Sequence, residues 1–358
     1  MATQPTVLDL FCGCGGISKG FSLAGFSIIG GVDFNEDATK TFKLNFPKAE
    51  VKCVDITSIS NDEIISLYKN VDVIVGGPPC QGFSSANRWQ KELDDPRNKL
   101  FFQYLRFVEV LRPKAILIEN VRGLLTRDNG YAKNRIIELL SNMGYVVNNQ
   151  ILDSSNFGVP QIRKRAFFIA FRKDFRDIVF DFDKIPHLRK VTVEEAIGEL
   201  YQLEDGDTSK IPTPPRNNYT RYLRKGIDVL YDHSVTYPAE IVQKRISFVP
   251  QGGNWQSVPK DLWPSQRGNR HSSAYKRLNP FTQSCTIDTG NAHSNYFHPI
   301  FNRIPSIRES ARLQSFPDSF IFYGSRGSKY KQVGNAVPPL LSKAVAKEIL
   351  KIIKNENN

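Results

Sequence analysis

The stretch GGPPCQGFS, residues 76–84, sets Cys80 behind two prolines and ahead of Gln81 and Gly82. Proline has a fixed φ and no backbone N–H, so Pro78 and Pro79 hold the chain stiff beside the thiol. A cysteine nucleophile ordinarily works with an adjacent base, yet no histidine precedes His187. The helpers on offer are Glu119, in the ENV triplet 119–121, and Arg163 and Arg165, in QIRKR at 161–165. A neighbouring guanidinium lowers a thiol pKa, the role expected of Arg165. A carboxyl group shut away from water takes up a proton and becomes a donor, the role expected of Glu119. Together these groups suit attack on a pyrimidine ring. C6 accepts a soft nucleophile when N3 is polarised, and C5 then becomes electron-rich enough to take a methyl group.

A second set of residues suits a cofactor. DLFCGCGGISKGF, residues 9–21, reads as a strand, a glycine turn and a helix start. Gly13, Gly15 and Gly16 permit a tight turn and close approach of a ligand to backbone. The pattern is near the dinucleotide fingerprint, but Ser18 stands where the third glycine belongs. Asp33 ends the next strand, where an acid holds ribose hydroxyls. Asp55 ends the third, within reach of an adenine amine. Either acid could instead merely cap a helix. With no pyrophosphate cradle evident, the set favours S-adenosylmethionine over NAD.

Strand ends must carry these groups. Over the first 170 residues, short apolar runs alternate with helical stretches: TVLDLF, SIIGGVD, AEVKCVDI, VDVIVGG, AILIEN, VVNNQIL and RAFFIAF are the predicted strands. Repeated βαβ units predict an α/β, Rossmann-like domain with a mostly parallel sheet, binding ligands beyond the carboxyl ends of its strands. From residue 182 the texture turns polar and loop-rich. Between 244 and 303 eight basic residues, among them Arg267 and Arg270, face two acidic ones. Such a surface suits phosphates and base edges. SIRESARLQSF and PPLLSKAVAKEILKIIK restore helical periodicity, and the last helix is expected to pack on the first domain.

Bulk composition sets the class. The 358 residues are 40% hydrophobic and 23% charged, with a net charge of +12. This is enough apolar material for a globular core, and the charge favours a polyanionic partner. Five scattered cysteines suggest neither a disulfide framework nor a structural metal site and fit a reducing, cytoplasmic setting. No apolar run has transmembrane length.

In order along the chain, the motifs resemble those of the bacterial DNA (cytosine-5)-methyltransferases of restriction-modification systems. DLFCGCGG is similar to their first cofactor motif, with Cys12 where alanine is more usual, and Asp33 stands where glutamate is commoner. GGPPCQGFS, ENV, QIRKRAFFIAF, RESARLQSFPDSF and QVGNAVPP resemble the motifs that follow. The resemblance implies methyl transfer from S-adenosylmethionine to C5 of a cytosine flipped out of double-stranded DNA, within a short specific sequence, protecting the host from a cognate endonuclease. Cys80 would attack C6, Glu119 would bind N3 and the amine, Arg165 would contact O2, and Arg163 would support the loop or the thiolate.

Phe11, Asp33, Phe34, Asp55, Ile56, Pro79, Leu100, Asn335 and Val337 match cofactor contacts beside the three glycines, and the Pro79 carbonyl would help hold the amine. Loop 82–98 would close over DNA, with Ser84 or Ser85 on a phosphate, Arg88 and Arg97 nearby and Gln81 filling the gap left by the base. Gly334 would make a tight turn. The implied catalytic domain is 1–184 completed by 331–358, the target-recognition domain 185–305 and the hinge 306–330, in a monomeric, nucleoid-associated enzyme without metal. A tRNA cytosine-5 methyltransferase keeps the chemistry and changes the substrate. A NAD-dependent oxidoreductase keeps only the fold and leaves Cys80 unexplained, and a silent DNA-binding module leaves Cys80, Glu119 and Arg165 unexplained.

Overall fold

The structure is a computed structural model describing residues 4–80, 98–203, 214–227, 229–263, 275–289 and 296–354. The chain divides into two units. The first comprises Met1–Asp153, Lys164–His187 and Leu341–Asn358, and the second Ser154–Arg163 and Leu188–Leu340. Residues 154–163 and the expected hinge 306–330 group with the second unit.

The first unit is built on seven strands: β1 (Thr6–Leu10), β2 (Ser27–Asp33), β3 (Glu50–Cys53), β4 (Val73–Gly76), β5 (Ala115–Val121), β6 (Tyr145–Asp153) and β7 (Lys164–Arg172). Their order is β3-β2-β1-β4-β5-β7-β6. β1 to β5 pair in parallel, whereas β7 runs antiparallel to both β5 and β6. The expected mostly parallel α/β sheet is present. Val73–Val75 of β4 and Ala115–Ile118 of β5 are wholly buried, as uninterrupted apolar runs are when helices cover both faces.

Those helices are α1 (Gly16–Ala24), α2 (Glu36–Asn45), α3 (Asn61–Tyr68), α4 (Lys99–Leu111), α5 (Gly123–Thr126) and α6 (Tyr131–Asn142). α4 buries Phe101, Tyr104, Leu105 and Val108, the spacing of one helical face. The Tyr104 hydroxyl lies 3.2 Å from the Ile74 carbonyl and 3.1 Å from that of Leu117, so it binds β4 and β5 together. α3 was not anticipated. Its eight residues bury only Ile64 and Tyr68, too little for a clear stripe, and a Ser60/Glu63 capping box starts it instead.

β1 has β2 on one side and β4 on the other. The winding reverses there, and a ligand crevice opens beyond the carboxyl ends of such a pair. The glycine turn follows β1 and the Cys80 loop follows β4, so both reach that crevice.

Among its described residues the second unit has only two-residue strands, β8 (Lys276–Arg277) and β9 (Tyr296–Phe297), with helices α7 (Val193–Ile197), α8 (Asn218–Leu223), α9 (Glu240–Ser247), α10 (Ile307–Leu313) and α11 (Arg326–Asn335). Part of its core is ionic. Arg303 grips Glu309 through two hydrogen bonds of 2.8 and 3.0 Å. Arg312 reaches Glu199 at 2.8 Å and Asp318 at 2.9 Å. All five side chains are buried, so each charge depends on its partner.

This corrects the reading of residues 244–303 as one phosphate-facing surface. Arg303 is spent on Glu309, and the buried Arg277 donates to the carbonyls of Pro299 at 3.1 Å and of Ile246 and Val249 at 3.3 Å each. Lys244 and Lys260 are exposed.

The last helix, α12 (Pro339–Lys354), packs on α1. Ser342 Oγ donates to the Ile17 carbonyl at 2.8 Å, and a Cβ on Gly20 would collide with Ser342. Among the described residues no helix is long and apolar enough to cross a membrane.

Candidate active site

The turn after β1 is tight. Phe11, Gly13 and Gly15 take positive φ values of 59°, 51° and 96°. Such a value is uncommon for a bulky residue like Phe11. A Cβ on Gly15 would lie 2.7 Å from Phe46 and 2.9 Å from Phe42, whereas one on Gly13 would meet nothing within 4 Å. Gly15 is therefore fixed by both the turn and packing, and Gly13 by the turn alone, with open space in front of it. Gly16 begins α1.

Asp33 ties this turn to β2. One carboxylate oxygen accepts the Gly13 N–H and the other the Asn35 N–H, each at 2.9 Å. Asn35 in turn caps α2. Asp55 caps a short helical turn by accepting the Thr57 N–H at 2.9 Å, and that bond holds its carboxyl below the ordinary range. Asp55 thus does the capping work weighed for it, whereas Asp33 ties the glycine turn to the end of β2 and leaves the cap of α2 to Asn35. Phe34 beside them is 76% exposed. Ile56 is buried and Leu100 half-buried, both against the core of this unit.

Ser18, which stands in place of the third glycine, has its own partner. Its hydroxyl donates to Asp9 Oδ2 at 2.6 Å. Asp9 is 1% exposed. Burial lifts its pKa to about 7, against a smaller lowering by the Ser18 hydrogen bond. Sequence reasoning passed over Asp9, although an acid inside an apolar strand was a visible signal.

After β4 the chain runs through Gly77, buried Pro78 and exposed Pro79 to Cys80. The Cys80 thiol is buried and donates to the Pro78 carbonyl at 3.3 Å. Asn120 Nδ2 donates to the same oxygen at 2.9 Å. Burial first, and then the Glu119 carboxylate, push the thiol pKa well up. The lowering expected from Arg165 is absent because Arg165 is turned to Glu119, with Nε 3.1 Å from Oε1.

The antiparallel strand makes that pair. Arg165 on β7 lies opposite Val121 on β5, two residues from Glu119, and long side chains reach such diagonal neighbours. Gly77 leaves the room, since a Cβ there would sit 3.2 Å from Glu119 Oε2.

Arg163 lies in the second unit. Its buried guanidinium donates to the Ile287 carbonyl at 3.0 Å and the Gly334 carbonyl at 2.9 Å. These contacts make it a brace of that unit. Asn335 ends α11, and the buried Val337 follows. Gly334 makes no tight turn. It lies inside α11, where a Cβ would fall 2.6 Å from the Asp288 carbonyl oxygen. Gln81, Ser84, Ser85, Arg88, Arg97, Arg267 and Arg270, expected on DNA, lie outside the described residues. Among those described, no three His, Cys, Asp or Glu residues gather as a metal site would need.

Comparison with known proteins agrees with this geometry. The family model for C-5 cytosine-specific DNA methylase matches residues 5–351. The chain is 37% identical to the type II methyltransferase M.DdeI of Desulfomicrobium norvegicum, over 98% of this chain and 90% of that one. It is also 37% identical to the type II methyltransferase M1.HphI of Haemophilus parahaemolyticus, over 98% and 88%. A crystal structure described as a prophage-encoded DNA modification methyltransferase of E. coli superposes with a TM-score of 0.80 at 28% identity, covering 98% of this chain and all of the other. The S. pombe Dnmt2 methyltransferase shares the fold, with a TM-score of 0.62 at 20% identity over 99% of this chain and all of its own. The chain belongs to the family of C-5 cytosine-specific DNA methylases and is a DNA (cytosine-5)-methyltransferase.

Proposed function

We propose that this enzyme methylates one cytosine of a short specific sequence in double-stranded DNA through a covalent bond between Cys80 and C6. The observation that carries the reading is the convergence of Cys80, the Glu119–Arg165 pair and the glycine turn on the carboxyl ends of β1, β4 and β5. S-adenosylmethionine, the cofactor used in this family, supplies an electrophilic sulfonium methyl group. The residues present fit it: Gly13 leaves open space, Phe34 offers an exposed ring, and Asp33 and Asp55 stand at adjoining strand ends. Asn335 and Val337 complete the proposed cofactor set.

The target base must leave the stack, because C5 and C6 are closed off inside the duplex. Glu119, carrying a proton, then donates to N3 and accepts from the exocyclic amine through its other oxygen, with the Pro79 carbonyl also at the amine, while Arg165 faces O2 and holds the carboxyl group in place. Cys80, its proton passed to solvent, forms the S–C6 bond, and the C5–C6 π pair moves to C5. C5 would take the methyl group with that pair as the sulfonium S–CH3 bond breaks, leaving S-adenosylhomocysteine. Loss of the C5 proton to a base then returns the electron pair that expels Cys80. The loop-rich second unit, with exposed Lys244 and Lys260, reads the target sequence. The enzyme works as a monomer in the cytoplasm and shields host DNA from a partner endonuclease.

Bisulfite sequencing of DNA from cells expressing the wild type or Cys80→Ala tests this. Cytosines protected in one short motif by the wild type alone support it. Protection by the variant sinks the nucleophile assignment. An unmodified genome with modified tRNA overturns the substrate.

A further inference from the structure

The backbone that carries Cys80 cannot anchor itself. Pro78 and Pro79 have no N–H to give, so between Gly77 and Cys80 only carbonyl oxygens offer main-chain handles. The Pro78 oxygen accepts two donors, the Cys80 thiol at 3.3 Å and Asn120 Nδ2 at 2.9 Å. The orientation of the Asn120 amide is settled by its other end, since Oδ1 accepts the Val121 N–H at 2.9 Å. Nδ2 must therefore face Pro78. Asn120 is itself held within β5, opposite Ala166 of β7. One rigid amide thus fixes the one oxygen on which the thiol rests.

We propose that Asn120 is a positioning residue for Cys80, acting through the Pro78 carbonyl to park the nucleophile as a thiol in the resting enzyme. The proposal rests on the reading of Cys80 as nucleophile. A carbonyl oxygen turned toward sulfur welcomes S–H and opposes S⁻. The charged groups around the thiol act in the same sense, because Glu119 on β5 adds negative charge and Arg165 on β7 is turned to Glu119. A parked thiol resists alkylation and oxidation while no base is bound. The same hold on Pro78 keeps sulfur in place for attack when one arrives.

The test follows alkylation of Cys80 by iodoacetamide against pH, without DNA, read by mass spectrometry of its peptide. The exposed Cys53 is the internal reference. Asn120→Ala frees the Pro78 carbonyl. The expected result is a Cys80 profile shifted to lower pH by about one unit, hence roughly tenfold faster labelling at neutral pH. kcat should fall by about 10²-fold, as misplacement of a reacting group costs, with cofactor affinity unchanged. Asn120→Asp cannot donate and adds negative charge, so its profile should move the opposite way while kcat falls as well. The Asp variant keeps the test alive should the Ala variant fail to fold.

A purely structural Asn120 would lower stability, leave the Ala profile on that of the wild type and leave kcat of the folded Asp variant unchanged, which overturns the proposal. DNA carrying 5-fluorocytosine separates the two readings, because the C5 fluorine cannot leave as a proton does. A wild type that forms no Cys80 adduct with it defeats the nucleophile reading. A wild type that forms the adduct, with those unchanged variant readings, defeats only the role of Asn120.

Discussion

Arg165 Nε lies 3.1 Å from Glu119 Oε1, across the boundary between β5 and β7, which runs antiparallel to both of its neighbours. Both side chains are largely shielded, at 19% and 14% exposure. In a fully parallel sheet the segment carrying Arg165 would enter the sheet from the other end. The reversal of β7 is what turns an arginine near the start of a strand toward a glutamate near the end of its neighbour.

Arg165→Ala should therefore lower kcat/KM by about 10² to 10³-fold, the scale for removing an electrostatic partner beside a reacting group. Arg165→Lys should recover part of this, as it restores the charge without the planar fork. Methyl incorporation into DNA checks both. Near-wild-type rates for the Ala variant would remove Arg165 from the reacting site.

Three glycines separate turn geometry from packing. Gly13→Ala strains a residue at φ 51° but meets no neighbour, so stability should fall by only about 1–2 kcal/mol. The new methyl group enters the open space before the turn, and cofactor affinity should drop. Gly15→Ala adds collisions with Phe42 and Phe46 and should cost more stability. Gly334→Ala presses on the Asp288 carbonyl, a backbone atom that cannot swing away. Urea melts and cofactor titrations should show Gly13→Ala weak in binding but folded, and the other two weak in folding. Equal stability of all three would defeat the packing argument.

Much of this was legible in the residues. Strands whose apolar runs are buried on both faces, such as β4 and β5, declare themselves, and SIIGGVD is β2 residue for residue. Cys80 and Glu119 followed from side-chain chemistry at strand ends. Pairing was not legible. Nothing in RAFFIAF states that β7 runs backward, so the pairing of Arg165 with Glu119 cannot be read from it. Nor does a count of arginines reveal burial. Arg277 and Arg303 read as surface charge until their carbonyl and Glu309 partners are seen. Gly334 failed for a related reason, since a glycine kept free of a Cβ by a distant carbonyl looks the same in sequence as one in a turn.

Asp9 gives a pH dependence with a definite sign. Burial lifts its folded-state pKa to about 7 from an ordinary 3.8. Between those values the folded protein holds a proton that the unfolded chain has released, so stability falls as pH rises through the window. The shift of about three units sets an upper limit near 4 kcal/mol. Asp9→Asn keeps an acceptor for Ser18 without a charge to bury. Relative to the wild type it should gain stability steadily from pH 4 to 7 and hold that gain above. Urea unfolding of both proteins at pH 5, 7 and 8.5 tests this, and a difference that does not grow with pH would show that Asp9 is ionised at no cost.

The cations of the second unit should separate by their partners when DNA binds. Each phosphate contact contributes about 0.9 to the slope of log affinity against log salt. Lys244 and Lys260 are exposed, so replacing both with alanine should reduce the slope by up to about 1.8 if both meet phosphate. Arg277 carries the same charge, yet its guanidinium is buried among the carbonyls of Ile246, Val249 and Pro299. Arg277→Met leaves those oxygens without donors and should destabilise the unit by a few kcal/mol. In whatever fraction stays folded, the salt slope should equal that of the wild type. Fluorescence anisotropy across a salt series, paired with thermal melts, reads both quantities. A slope that drops for Arg277→Met and holds for the double lysine variant would mean that DNA meets a face of this unit other than the one carrying Lys244 and Lys260.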